Sequence, residues 1–142
     1  MSDYNRTFLA FDYGERRIGV AKSDPMGIIA SALTTLEVRS KKDGLEKMIE
    51  LINEYQPDKI IFGYPLLKSG DKSNKCHEID KVIEKIQQIC QTLIELVDEQ
   101  YSSQEAASII HAHNKKTGTD KKRIDRLAAV VILNRFLEEN PA

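Results

Sequence analysis

The sequence predicts an α/β protein: a mixed five-stranded sheet, three antiparallel strands followed by parallel ones, with helices on both faces. Two observations carry that expectation. Up to Val38 the chain holds short apolar runs separated by turn residues, with no helical spacing between them. Beyond Val38, short apolar runs alternate with stretches of helical periodicity, and strands alternating with helices demand parallel crossovers. At 142 residues the chain fits one domain, 1–142, with enough material to bury a core.

The elements follow in order. Phe8–Asp12 and Ile18–Ser23 read as the arms of a hairpin around Tyr13-Gly14, and Ile28–Val38 supplies a third, antiparallel strand. Asp43-Gly44 leads into a helix whose apolar residues Leu45, Met48, Ile49, Ile52 and Tyr55 recur at helical spacing, and Pro57 ends it. Lys59–Gly63 is a short apolar run stopped by Gly63 and Pro65, which reads as a buried strand. Leu66–Asn74, with Gly70, Asp71 and Ser73, is a polar loop. A second helix shows Ile79, Val82, Ile83, Ile86 and Cys90 on one face, and Leu93–Val97 is the next strand. Ser102-Ser103-Gln104-Glu105 matches a capping box and starts a further helix, so Glu99 falls in a strand-to-helix turn. Gly118 breaks the chain before a last helix from about Lys121 to Glu138, with Leu127, Val130, Val131, Asn134 and Leu137 on one face.

Composition narrows the function classes. Hydrophobic residues at 41% and charged residues at 30% describe an ordinary globular chain and not a disordered one. The formal net charge of −1 gives no global attraction to nucleic acid or to an anionic membrane, so any such binding must come from local patches. No stretch approaches the ~18 consecutive apolar residues of a membrane span. The start, Met1 to Arg6, lacks the layout of a secretory signal. Cys76 and Cys90 form no C-x-x-C pair, so reduced thiols in the cytoplasm are expected, with neither a zinc site nor a disulfide framework.

Three carboxylates carry the chemistry. In open α/β sheets the ligand crevice lies outside the carboxyl ends of the parallel strands, and Asp12 and Glu99 both fall there. A charge at the end of a buried strand, as at Asp12, is costly unless something cationic neutralises it. Asp125, one turn into the last helix, shares a stripe with Ala128, Ala129 and Ile132 and so points toward the protein body. Singly, each has an ordinary reading: Asp12 as a turn residue, Glu99 as a solvated side chain, Asp125 as a partner of the helix N-terminus. Together, three carboxylates at one sheet edge repel each other unless divalent cations lie between them. Mg²⁺ and Mn²⁺ take oxygen ligands. Two such ions about 3.5–4 Å apart serve phosphodiester hydrolysis. Asp12, Glu99 and Asp125 are therefore the expected metal ligands and catalytic residues.

Basic residues flank this centre. Lys115, Lys116, Lys121, Lys122, Arg123 and Arg126 surround Asp125, and Arg16 and Arg17 follow the Asp12 turn. Lys68, Lys72 and Lys75 lie in or beside the polar loop. Such charges suit a phosphate backbone, although a solvated face has the same composition. The expected nucleic-acid contacts are Arg16, Arg17, Lys68, Lys116, Lys122, Arg123 and Arg126. Tyr64 and Tyr101 stand near the crevice, where each could stack on a base or simply pack. His111 and His113 are two apart and point in different directions on a helix, and His77 reads as a surface residue. Actin-like ATPases and sugar kinases also open with a strand-Asp-x-Gly turn, but they need two such domains around the nucleotide.

Four blocks resemble one family. Phe11-Asp12-Tyr13-Gly14 with Arg16-Arg17-Ile18-Gly19-Val20-Ala21 and Ser23-Asp24 resembles the opening signature of the YqgF (RuvX) family. Gly63-Tyr64-Pro65-Leu66 is similar to its G-L-P-L turn. Val97-Asp98-Glu99 with Ser102, Ser103, Glu105 and Ala106 is similar to its D-E-R-x-[ST]-[ST]-x-E-A segment. Ile124-Asp125-Arg126-Leu127-Ala128-Ala129 with Ile132-Leu133 is similar to its last helix. The resemblance implies an RNase H-like fold related to Holliday-junction resolvases. It also implies a cytoplasmic, Mg²⁺- or Mn²⁺-dependent nuclease that matures the 5′ end of pre-16S ribosomal RNA, with Asp12, Glu99 and Asp125 catalytic. Branched DNA is the alternative substrate, and a non-catalytic RNA-binding factor in ribosome assembly is the alternative role. The expected state is a monomer or weak homodimer with no membrane partner. Two positions depart from the family pattern: Gln100 stands for its usual Arg, and Leu67-Lys68 for its usual Asn. Gln cannot replace a bidentate, permanently charged phosphate contact. Neither change removes an expected metal ligand.

Overall fold

The structure, a computed structural model, describes residues 7–98 and 121–141. Within them run β1 (Phe8–Asp12), β2 (Arg17–Ser23), β3 (Ala30–Glu37), α1 (Lys41–Tyr55), β4 (Lys59–Tyr64), α2 (Asn74–Ile89), β5 (Leu93–Asp98) and a last helix, α3 (Lys121–Glu139). The helix expected from the capping box at Ser102 lies outside the described residues.

The five strands form one sheet in the order β3-β2-β1-β4-β5. β2 pairs antiparallel with β1 and with β3, whereas β4 runs parallel to both β1 and β5. This is the mixed sheet expected from the sequence, and the carboxyl ends of β1, β4 and β5 lie side by side.

Strand alternation sorts the core into two layers. Leu9, Phe11, Ile18, Val20, Ile60 and Phe62 meet Met48 and Ile52 of α1 and Ile79, Val82 and Ile86 of α2 on one face. Phe8, Ala10, Ala21, Ile61 and Val97 meet Ala129, Ile132, Leu133 and Phe136 of α3 on the other. Asp12 follows Phe8 and Ala10 in the two-residue period, so it belongs to the α3 face.

Most boundaries fall within one residue of expectation; the starts of β3 and α1 move further, both because a side chain caps the backbone. β3 begins at Ala30 and not at Ile28, since Asp24 Oδ1 accepts from Ile28 N at 2.7 Å and Ile29 N at 2.8 Å and holds both in a turn. α1 begins at Lys41, ahead of Asp43-Gly44. Ser40 Oγ accepts from Asp43 N at 3.0 Å while Asp43 Oδ2 accepts from Arg39 N at 2.9 Å, a reciprocal cap. Gln56, in the left-handed region at φ 44°, closes α1 just before Pro57.

Candidate active site

Asp12 is the last residue of β1 and lies opposite Gly19 of β2 in the antiparallel register. Gly19 has no side chain because none would fit. A Cβ there would stand 1.9 Å from the Asp125 carbonyl oxygen and 3.1 Å from Arg126 N. The beginning of α3 therefore rests on the β2 backbone directly across from Asp12. Asp12 and Asp125 are thus brought to the same face at the same end of the sheet, from positions far apart in the chain.

Arg17, the first residue of β2, lies two residues from Gly19 and so shares its face. Its Nε donates to Asp125 Oδ2 at 2.7 Å, with both side chains partly exposed. That is a single charge-assisted hydrogen bond, and it engages one of the two carboxylate oxygens. The pair opens into a cleft of about 570 Å³ formed by the β1–β2 turn, the first turn of α2 and the start of α3. Gly14, Glu15, Arg16, Asn74, Lys75 and Glu78 complete its walls. Both signs of charge meet there. Arginine and lysine on two sides suit an anionic backbone, while the carboxylates suit a cation.

The other expected residues are placed as follows. Arg16 and Arg17 line the cleft. Lys68 is exposed in the turn after β4. Lys122 forms an ion pair with Glu37, and its carbonyl accepts from Thr35 Oγ1 at 2.6 Å. Arg126 Nη1 lies 3.4 Å from the same Thr35 hydroxyl, so these two residues tie α3 to β3. Arg123 is exposed on the first turns of α3. Glu99, Gln100, Tyr101, Lys115, Lys116, His111 and His113 lie outside the described residues. Among the described residues no group of three histidine, cysteine or acidic side chains is assembled to hold a metal.

Tyr64 packs instead of facing the crevice. It is buried, and its hydroxyl donates to Asp80 Oδ1 at 2.8 Å. Lys72 holds the other Asp80 oxygen at 2.9 Å. The alternation of β4 had already put Tyr64 on the face covered by α2, and that signal could have decided between the two readings. The cleft also recruits residues that motif reading passed over, Glu15, Asn74 and Glu78. Asn74 and Glu78 are four apart at the start of α2, and Ser73, which caps that helix through Cys76 N, was the signal for where it begins.

The donor set fits a hard divalent cation. Asp12 and Asp125 supply only oxygens, no nitrogen or sulfur ligand accompanies them in the described part of the site, and Asp125 Oδ1 has no hydrogen-bond partner among the described residues.

A family model described as "RuvX: Holliday junction resolvase" matches residues 6–139. A protein of Dictyoglomus turgidum (strain DSM 6724 / Z-1310) is 35% identical over 130 residues, covering 92% of each chain. One of Mycoplasmopsis synoviae (strain 53) is 36% identical over 131 residues, covering 92% of this chain and 96% of its own. Both carry the name "Putative pre-16S rRNA nuclease". Among solved structures, the Fowlpox virus resolvase in complex with Holliday junction DNA superposes with TM-score 0.60 at 13% identity, covering 96% of this chain and 99% of the other. RuvC of T. thermophilus, in complex with a Holliday junction substrate, gives 0.57 at 12%, covering 96% and 97%. At such identities the likeness speaks for the fold, and the fold is the RNase H-like one expected from the sequence.

Proposed function

This chain belongs to the RuvX family of Holliday junction resolvases and is a hydrolase of phosphodiester bonds; on that premise we propose that it is a cytoplasmic, divalent-metal-dependent endonuclease that cuts precursor 16S ribosomal RNA. The observation that carries this reading is the contact of the α3 backbone on Gly19, which gathers Asp12 and Asp125 at the carboxyl end of β1. The choice of substrate rests on the names of the relatives.

Asp12 and Asp125 hold Mg²⁺ or Mn²⁺, together with Glu99, which follows the last residue of β5 in sequence. A pair of ions there, when bound, supplies Lewis-acid stabilisation of the charge that builds on the phosphodiester oxygens. The chain's own residues do the rest. Arg17 fixes Asp125 through Oδ2 and leaves Oδ1 to face a cation. The remaining guanidinium N–H groups of Arg17 have no partner among the described residues, and they donate to a backbone phosphate in the cleft. Arg16 of the β1–β2 turn and Lys75 of α2 hold the strand by its phosphates, contacts that position without reading sequence. Branched DNA is the second reading, favoured by the junction DNA present in both resolvase structures of the same fold.

The test is cleavage of labelled precursor 16S RNA and of a four-way DNA junction by the purified protein with Mn²⁺. The proposal expects RNA cleavage that stops with a chelator and falls on the order of 100-fold or more in Asp12→Asn, since even residues that only support a metal ligand are worth 10–100-fold. Cleavage that persists in Asp12→Asn would sink the metal site. Cleavage of the junction alone would exchange the substrate, and no cleavage of either would leave a binding factor.

A further inference from the structure

A second cavity, of about 100 Å³, lies on the sheet face away from α3, between α1 and α2. Tyr13 forms part of its wall, with Lys41 from the first turn of α1 and Lys81 and Lys85, four apart on α2 and therefore on one helix face. Glu78 is the one carboxylate among its lining residues.

Tyr13 is the telling residue. It is 4% exposed and its ring belongs to the apolar core, yet its hydroxyl has no hydrogen-bond partner among the described residues. Buried polar groups are nearly always satisfied, so an orphaned phenol beside a cavity marks a place where a bound group completes the structure. Three ammonium groups and one phenol O–H are all donors, set against a single carboxylate. The complementary ligand is an anion rich in acceptor oxygens.

Size selects among anions. At about 100 Å³ the cavity has room for a single tetrahedral oxyanion. Glu78 lines both this cavity and the large cleft, and Tyr13 is the residue after Asp12. The two cavities are therefore neighbours along one edge of the sheet.

We propose that the Tyr13–Lys41–Lys81–Lys85 cavity is a subsite for a backbone phosphate of the substrate strand, beside the phosphate that enters the cleft lined by Arg17 and Asp125. The subsite rests on the nuclease reading for its occupant but not for its chemistry. It holds a phosphate through the Tyr13 hydroxyl and the lysines, and so sets the register in which the strand crosses the cleft.

The full chain, with chelator present so that nothing is cut, is titrated with inorganic phosphate and then with short duplex RNA, followed by amide chemical shifts. Saturable phosphate binding is expected, with shifts at Tyr13 and in the first turns of α1. Tyr13→Phe, which keeps the ring and loses only the donor, should weaken it roughly tenfold, as for loss of a hydrogen bond to a charged group. RNA should displace phosphate, and Lys81→Gln should lower the slope of log K against log salt by about one. Phosphate that fails to saturate, or that binds Tyr13→Phe and Lys81→Gln/Lys85→Gln as tightly as the native chain, overturns the site. RNA that binds without displacing phosphate overturns its assignment to the strand. Displacement by RNA in a protein that cuts no nucleic acid upholds the subsite and removes the nuclease reading instead.

Discussion

The pairing of Arg17 with Asp125 spans 108 positions of sequence and decides how the candidate site is built. Both residues stood out in the sequence, Asp125 as an inward carboxylate and Arg17 as a phosphate contact. Their bond did not, because no local periodicity links a strand to a helix at the other end of the chain. Gly19 was equally silent. It reads as a small residue within a strand, a position that often marks close approach of another backbone, but only the fold shows that the approaching group is the Asp125 carbonyl. Gly19→Ala therefore tests the junction. The added methyl meets backbone and not a movable side chain, so α3 must lift from β2. Urea denaturation should show a loss of about 1–3 kcal/mol, the usual cost of overpacking, and cleavage should fall with it. A variant as stable and as active as the native protein would mean that this contact does not hold Asp125 in place.

Among the elements, the β4–α2 connection shows how a polar loop becomes a fixed one. Leu67 N donates to the Asp71 carbonyl at 2.9 Å and Gly70 N to the Leu67 carbonyl at 2.8 Å, closing the turn. Tyr64 before the loop and Lys72 within it both bond Asp80 of α2. Burial raises the Asp80 carboxyl, but the hydrogen bonds from Lys72 and Tyr64 outweigh it and leave it below its ordinary value of 3.8. A carboxyl lowered in the folded state adds stability that is fully present above the ordinary value and is lost as the pH falls through the lower folded one. The stability difference between the native chain and Asp80→Asn should therefore be constant near neutral pH and shrink as the pH falls below about 3.8. Tyr64→Phe should lose about 1 kcal/mol at neutral pH, the net worth of one such bond. Urea titrations across pH measure both, and a difference that grows toward acid would contradict the linkage. Strand and helix existence was legible here because apolar spacing reports burial. Their ends were less so, because Asp24 and Ser40 moved them through side-chain bonds to the backbone.

For the molecule as a whole, the sheet order β3-β2-β1-β4-β5 follows from two rules readable in the chain, hairpins first and crossovers after. The shared sheet end of Asp12 and Asp125 was legible in outline for the same reason, since parallel strands end where ligands bind. The partners of the basic residues around it were not: Lys122 and Arg126, expected as phosphate contacts, reach Glu37 and Thr35 on β3. With a formal net charge of −1, the chain has no global attraction for a polyanion, and Arg16, Arg17 and Lys75 put local positive charge on the cleft walls. The most direct measurement of the central claim is anomalous diffraction from crystals soaked in Mn²⁺. A peak coordinated by Asp12, Asp125 and Glu99 is expected, with Arg17 still bonded to Asp125 Oδ2. Crystals with Mn²⁺ bound elsewhere, or with no peak between these carboxylates, would contradict it.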